Sequence, residues 1–127
     1  MTTISADTLA VGQILALLAL ADGEVRDIEN ETAEVIIENV CESEADAAKF
    51  VYESALVTLN IKNNFPEVCE EIAKMTRVQQ YEVVRACWYM AQCDEDLCSL
   101  EENLIYTLSD RLGISRYDCL LAKKSAA

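Results

Sequence analysis

Two acidic segments of the chain carry the residue types best suited to chemistry, because each groups several carboxylates next to an apolar stretch. Each carboxylate of interest in the first segment has a counterpart 72 positions later in the second. Carboxylate oxygens are ligands that Ca²⁺, Mg²⁺ and Mn²⁺ prefer in proteins. The sequence therefore predicts a divalent-cation site at each segment and no other cofactor. The six candidate metal ligands are Asp22, Glu24, Glu29, Asp94, Asp96 and Glu101.

A purely structural interpretation of these segments stays open beside the metal sites. Asp22 can accept hydrogen bonds from the amides that follow it, as in an Asx turn. Asp27 and Ser99 are ordinary helix N-caps, and acidic residues are common in the first turn of a helix. The spacing also departs from an EF-hand loop, since Cys98 occupies the position of the third ligand and no glycine follows it.

The charge of the chain favours cations and basic proteins as partners. Its 23 acidic and 10 basic residues give a formal net charge of −13. Between Asp22 and Asp46 every charged residue except Arg26 is acidic. Nucleic acids and anionic membrane surfaces would be repelled by such a protein. We therefore expect a partner protein bound through the acidic surface, and no nucleic-acid partner.

The chain contains no histidine. This excludes Ser–His and Cys–His nucleophile pairs and histidine metal ligands. Nothing else in the sequence supplies a nucleophile together with a substrate clamp. We expect no catalytic residues and interpret the protein as non-enzymatic, with a thiol- or metal-dependent enzyme as a disfavoured alternative.

The six cysteines and the apolar pattern favour a cytoplasmic setting. No two cysteines form a C-x-x-C pair, and we interpret them as reduced, small core residues. A zinc site made from Cys93, Cys98 and a third thiol is the weaker alternative. The first ten residues lack the basic region of a signal peptide, so we expect none. The longest apolar run, Ile14 to Ala21, is too short to span a bilayer, which predicts no direct membrane insertion.

The elements that must position the carboxylates are all predicted to be helices. Only three glycines and one proline interrupt the chain, and no alternating strand pattern is present. We predict an all-α fold, a compact bundle of about seven helices in a single domain over residues 1–127, with its core at about 8–121. The predicted helices are 8–21 after the N-cap Asp7, one after Asp27, 44–59, one from Pro66 to about Met75, one after a capping box at Thr76, one from Ser99 to the C′ glycine Gly113, and a short one after Ser115 with frayed final residues.

The spacing of apolar residues also predicts which faces point inward. The first helix is apolar almost all round, which is typical of a central helix. Gly12 within it indicates that another helix approaches closely there. In the later helices, the inward positions predicted from spacing include Ile28, Ala33, Val35, Ile36, Val40, Ala47, Phe50, Val51, Ser54, Ala55, Leu100, Leu104, Ile105, Leu108 and Leu112.

The 72-residue offset relates more than the acidic residues. Leu18 corresponds to Met90 and Ile28 corresponds to Leu100. Other apolar residues of the two helices that flank each acidic segment correspond in the same way. The apolar face, the acidic turn and the start of the next helix all keep the same relative positions in the two copies. The sequence therefore predicts two helix–acidic turn–helix units related by a pseudo-twofold axis.

The two repeated segments, "LALADGEVRDIENE" and "MAQCDEDLCSLEEN", resemble the paired A-D-G motifs of the TerB-like domain family. "RLGIS", residues 111–115, resembles the usual ending of that domain. The second copy departs from the motif, because Glu95 stands where the first copy has Gly23. The resemblance implies a compact, all-helical cytosolic domain without enzymatic activity. It also implies a role in tellurite resistance and stress, in metal-related, membrane-associated complexes.

Two functional hypotheses follow from these observations. The first is a TerB-like interaction domain of a stress, tellurite- or metal-resistance system, which binds a partner protein through its acidic face and a divalent cation at the acidic turns. The second is an acidic mimic of nucleic acid that occupies the basic groove of a DNA-binding protein. The net charge permits the mimic, whereas the repeat favours the interaction domain.

Overall fold

The computed structural model describes residues 6–21, 27–42, 44–61, 65–93 and 99–126, and these residues form seven α-helices without a strand. This confirms the predicted all-α fold. The helices are α1 (Ala6–Ala21), α2 (Asp27–Val40), α3 (Ala45–Ile61), α4 (Phe65–Ala73), α5 (Arg77–Ala91), α6 (Ser99–Arg111) and α7 (Arg116–Ala126). Most bounds agree with the prediction within two residues. The first helix begins earlier than expected, so that Asp7 lies in its first turn instead of preceding it.

Helix α1 is the centre of the fold, as its apolar sequence predicted. It packs against α2, α3, α4, α5 and α6. Its residues from Ala10 to Ala19 are buried, apart from the half-buried Gln13 and Leu17. A Cβ atom added to Gly12 would overlap Cγ1 of Val51, which confirms the predicted close approach and identifies α3 as the neighbouring helix.

The turn between α4 and α5 is closed by a buried side chain. Gln80 donates from Nε2 to the carbonyls of Ala73 and Met75, at 3.0 and 2.9 Å. The predicted capping box is present, with Thr76 Oγ1 accepting from the Gln79 amide at 3.2 Å and Gln79 Oε1 accepting from the Thr76 amide at 3.0 Å. These bonds satisfy backbone groups that the two helix ends would otherwise leave open.

The end of α6 also has the predicted geometry. Gly113 has a φ of 72°, and its amide donates to the Asp110 carbonyl at 3.1 Å while the Ile114 amide donates to the Ser109 carbonyl at 2.9 Å. This pair of bonds is a Schellman motif. Ser115 then caps α7 by accepting from the Asp118 amide at 3.1 Å. Helix α7 continues to Ala126, so the prediction of frayed final residues was wrong for the described part.

Several apolar residues predicted to face inward are instead exposed. Ile28, Val35, Phe50 and Leu100 keep between 44% and 61% of their surface accessible. In α3, Val51 and Ala55 are buried as expected, whereas Phe50 is exposed and Tyr52 is buried in its stead. The fold therefore leaves apolar side chains of α2, α3 and α6 on its surface.

Candidate functional site

Two of the six predicted metal ligands are buried carboxylates at the starts of helices. Glu29 lies in the first turn of α2 and is 2% exposed, and Glu101 lies in the first turn of α6 and is 3% exposed. The partial positive charge of a helix N-terminus favours a carboxylate at each place. Glutamate is rarely buried so completely unless its charge is compensated. The repeat therefore places a carboxylate in the interior at each of its two acidic turns.

The other four predicted ligands, Asp22, Glu24, Asp94 and Asp96, lie outside the described residues. Within the ranges that the structure describes, no three acidic or thiol side chains come together in an arrangement that could hold a metal ion. The two interior glutamates are thus the described part of the predicted sites. The metal sites remain a prediction that depends on the α1–α2 and α5–α6 connections.

Further polar side-chain atoms lie buried in α2, in α3 and in the C-terminal part of α5. Among the described residues, Asn30 Oδ1, the Tyr52 hydroxyl, Trp88 Nε1 and Gln92 Oε1 are buried and have no hydrogen-bond partner. Asn30 follows Glu29 at the start of α2, and Gln92 is the C-cap of α5. An unsatisfied buried polar group costs roughly 1–3 kcal/mol. Three of the four atoms are oxygens. An oxygen can bind a hard cation or accept a hydrogen bond from an ordered water molecule.

Asn30 and Gln92 were not singled out from the sequence, and neither was the burial of Tyr52. The Tyr52 side chain is 1% exposed. Burial raises the pKa of its hydroxyl, and the nearby carboxylates of Glu29 and Glu34 raise it further. The neutral phenol therefore lies close to the buried Glu29. The four tyrosines besides Tyr89 are scattered along the sequence, and only the position of Tyr52 beside Val51 in an amphipathic helix could have signalled its burial.

The buried thiols lie in the core, which agrees with their interpretation as core residues. Cys69, Cys87 and Cys119 are at most 3% exposed. Burial raises the pKa of Cys87, and the neighbouring Cys119 and Cys69 raise it further, so the three side chains lie near one another. Ser109 donates to Cys119 Sγ at 3.1 Å. Of the two cysteines in the alternative zinc site, Cys93 is half-buried and Cys98 lies outside the described residues.

Helix α2 presents the most acidic surface of the described fold. Its sequence contains five carboxylates and no base. Glu31 is exposed, and Glu34 and Glu38 are half-buried. The ion pairs between described residues join Lys74 to Glu71, Arg85 to Glu82 and Lys123 to Glu102, so they leave these three glutamates of α2 uncompensated. A cationic partner would find unpaired carboxylates along this helix.

None of the helices within the described ranges combines the length and the apolar character needed to cross a membrane.

Comparison with known protein families shows to which family the chain belongs. The family profile described as "Tellurite resistance protein TerB" matches residues 8–124, which is nearly the whole chain. No curated protein and no solved structure gave a match. The match includes nearly all residues of the seven helices, both acidic segments and the two interior glutamates. The chain therefore belongs to the TerB family.

Proposed function

We propose that this chain is a non-enzymatic interaction domain of a tellurite- or metal-resistance system in the cytoplasm. Its acidic α2 surface binds a partner protein, and its two repeated turns bind a divalent cation. The observation that carries the proposal is the burial of Glu29 and Glu101 at equivalent positions of the repeat. Membership of the TerB family supports the link to resistance.

The cation-binding part is supported by the repeated placement of carboxylates. Glu29 and Glu101 each lie in the first turn of a helix that follows an acidic segment of the repeat. In this proposal one divalent cation is bound by Asp22, Glu24 and Glu29, and another by Asp94, Asp96 and Glu101. Oxygen ligands of this kind suit Ca²⁺, Mg²⁺ and Mn²⁺.

Calorimetry with Ca²⁺, Mg²⁺ and Mn²⁺ tests this part. We expect wild type to bind at least one of the ions and Asp22→Asn/Asp94→Asn to lose that binding. Glu67→Gln/Glu70→Gln is the matched control, because it also removes two negative charges, but from exposed positions of α4. If the turn variant and the control bind the ion equally, the binding is general charge attraction and the proposed sites are wrong.

The partner-binding part is supported by Glu31, Glu34 and Glu38 of α2, which take part in none of the ion pairs between described residues. Affinity capture with wild type and with Glu31→Gln/Glu38→Gln tests it. We expect a protein that wild type retains, that the variant retains less, and that salt elutes, because screening weakens contacts between exposed charges. Equal retention by both proteins contradicts the proposal. Displacement of the retained protein by duplex DNA favours the nucleic-acid mimic instead.

A further inference from the structure

An apolar groove of about 500 Å³ opens between α2 and α5. Three of the apolar side chains in its walls are well exposed, with Val35 52%, Val78 73% and Tyr89 54% accessible. Apolar side chains that gather in a surface groove are typical of an interaction site. Ile36, Val40 and Ala86 contribute further apolar side chains to its walls.

A second, polar pocket of about 300 Å³ continues the groove beyond its apolar part. The two cavities share Asn39, Val40 and Gln79 in their walls. The carboxylates of Asp7 and Glu42 line the second pocket. The combined surface is therefore apolar along the α2–α5 interface and acidic at the end where α2 stops.

The border of the apolar part is acidic as well. On a helix surface, residues three and four apart are neighbours, so Glu31 and Glu38 of α2 flank Val35. Arg85 is the one base among the described residues that line the two pockets. It is already engaged, with Nη1 3.6 Å from Glu82 Oε2 and Nε donating to Ser125 Oγ at 2.8 Å. An occupant of this groove meets apolar walls and a negative rim.

We propose that the groove binds an amphipathic helix of a basic partner protein. Apolar side chains spaced at i, i+3 or i+4, and i+7 fill the α2–α5 groove, and lysines or arginines beside them face Glu31, Glu38 and the Asp7–Glu42 pocket. This is the helix-in-groove mode of peptide recognition. The inference rests on the proposed function and deepens it, because it assigns the chemistry of the partner and the position at which the partner binds the acidic α2 surface.

Charge selects this occupant over a second copy of the chain. Each copy carries a formal net charge of −13. Two copies that meet through their grooves would place acidic rims against each other, which costs free energy. A basic helix removes that repulsion and replaces it with attraction.

The test uses the full chain and a designed probe. The probe is a fluorescent, amidated leucine–lysine peptide of about 14 residues, roughly four helical turns, with leucines at i, i+3, i+4 and i+7. Anisotropy gives its affinity, and backbone amide shifts locate it on the protein. We expect the shifts to concentrate in α2, α5 and the end of α7.

Two matched pairs of variants separate the apolar groove from general charge attraction. Val35→Asp lies in the groove and Val57→Asp lies on an exposed part of α3, and each adds one negative charge. Charge alone would make both variants bind the basic probe more tightly. We expect Val35→Asp to weaken binding about tenfold or more, as loss of an anchor does, and Val57→Asp to change it less than about twofold. Tyr89→Asp and the exposed control Tyr117→Asp repeat the comparison on α5 and α7.

A third comparison distinguishes failure of the groove from failure of the proposed function. We expect Glu31→Gln/Glu38→Gln to weaken probe binding more than Glu67→Gln/Glu70→Gln. If that charge effect is present but Val35→Asp equals Val57→Asp and Tyr89→Asp equals Tyr117→Asp, the groove assignment is wrong and the acidic partner surface stands. Equal effects of the two glutamine variants overturn both. A wild-type dimer in sedimentation that Val35→Asp dissociates, while Val57→Asp does not, identifies a second copy as the occupant and also overturns the inference.

Discussion

Glu29 and Glu101 occupy equivalent positions of the 72-residue repeat, and both are buried in the first turn of a helix, 2% and 3% exposed. A glutamate in the first turn of a helix is ordinary when it lies on the surface, because the helix dipole favours it there. Burial is different, because it costs free energy that surface positions avoid. The repeat therefore places a buried carboxylate, as well as buried apolar residues such as Leu18 and Met90, at equivalent positions.

We expect the two repeats to bind a cation unequally. The first turn has Gly23 where the second has Glu95, and a left-handed backbone conformation that glycine tolerates would be strained for glutamate. Glu29→Gln should weaken cation binding by about tenfold or more, and Glu101→Gln by about threefold or less, which correspond to about 1.4 and 0.6 kcal/mol. Calorimetry on each single variant measures this. Equal losses from the two variants would show that the glycine does not set the difference.

Gly12 should be intolerant of even the smallest side chain. Gly12→Ala places a Cβ atom against Val51 Cγ1, and the branched valine side chain cannot turn away easily. We expect a loss of about 1–3 kcal/mol in the free energy of unfolding, although alanine favours a helix by about 1 kcal/mol. Urea unfolding measures it.

The double variant Gly12→Ala/Val51→Ala tests the cause of that loss. Because the new methyl group fills space that the smaller residue vacates, the double variant should be less destabilised than the sum of the two single variants. Additive losses, or a Gly12→Ala protein that is more stable than wild type, would contradict the contact.

The Gly12 contact illustrates what the sequence could predict and what it could not. A glycine inside an apolar helix indicates a close neighbour, but its identity, Val51, depends on how α3 crosses α1. The capping residues Thr76, Gly113 and Ser115 were predicted from the sequence as well, because each acts within a few residues of the chain. The structure confirms all three. Local chemistry was therefore predictable.

Burial on the outer helices was less predictable, because the packing partner decides it. Val35 was assigned to the inward face of its helix together with Ile36 and Val40, yet it borders the α2–α5 groove and is 52% exposed. Phe50 and Tyr52 lie two residues apart in α3, and the fold buries the tyrosine instead of the phenylalanine. Glu29 was predicted as a metal ligand, with an ordinary first-turn residue as the alternative, and neither interpretation predicted its burial. In each case the side chain's surroundings come from another helix, which periodicity within one helix does not reveal.

Arg77 should stabilise the end of a helix to which it does not belong. At the start of α5, its guanidinium donates to the carbonyls of Leu112 and Gly113, at 2.6 and 2.9 Å, and so closes the last turn of α6. Arg77→Ala should lower the free energy of unfolding by about 1.5–3 kcal/mol, the usual range for hydrogen bonds from a charged group. Thermal and urea unfolding measure this loss.

Arg77→Lys is the matched control for that variant, because it keeps the charge and removes the two-pronged geometry. It should recover only part of the loss. Full recovery would mean that charge near the α6 C-terminus matters, and not the two directed bonds.

Alkaline pH should destabilise the fold through its buried thiols and Tyr52. Burial raises the pKa of Cys69 from 9.0 to about 11, and it also raises the pKa values of Cys87 and Tyr52. Above about pH 9 the unfolded chain loses thiol protons that the folded chain keeps, so the free energy of unfolding falls as pH rises. Each such group contributes a slope of about −1.4 kcal/mol per pH unit between its unfolded and folded pKa values, and Tyr52 joins above about pH 10.

Urea unfolding in reductant, at steps of pH from about 8 to 10.5, measures this slope, and two variants assign it. Cys69→Ala should be less stable than wild type at pH 8, because it leaves a cavity, yet its stability should fall less steeply above pH 9. Tyr52→Phe should match wild type in slope below about pH 10 and fall less steeply above it, since only the phenol's proton is removed. If both variants keep the wild-type slope over the whole range, the alkaline loss of stability comes from groups other than these buried ones.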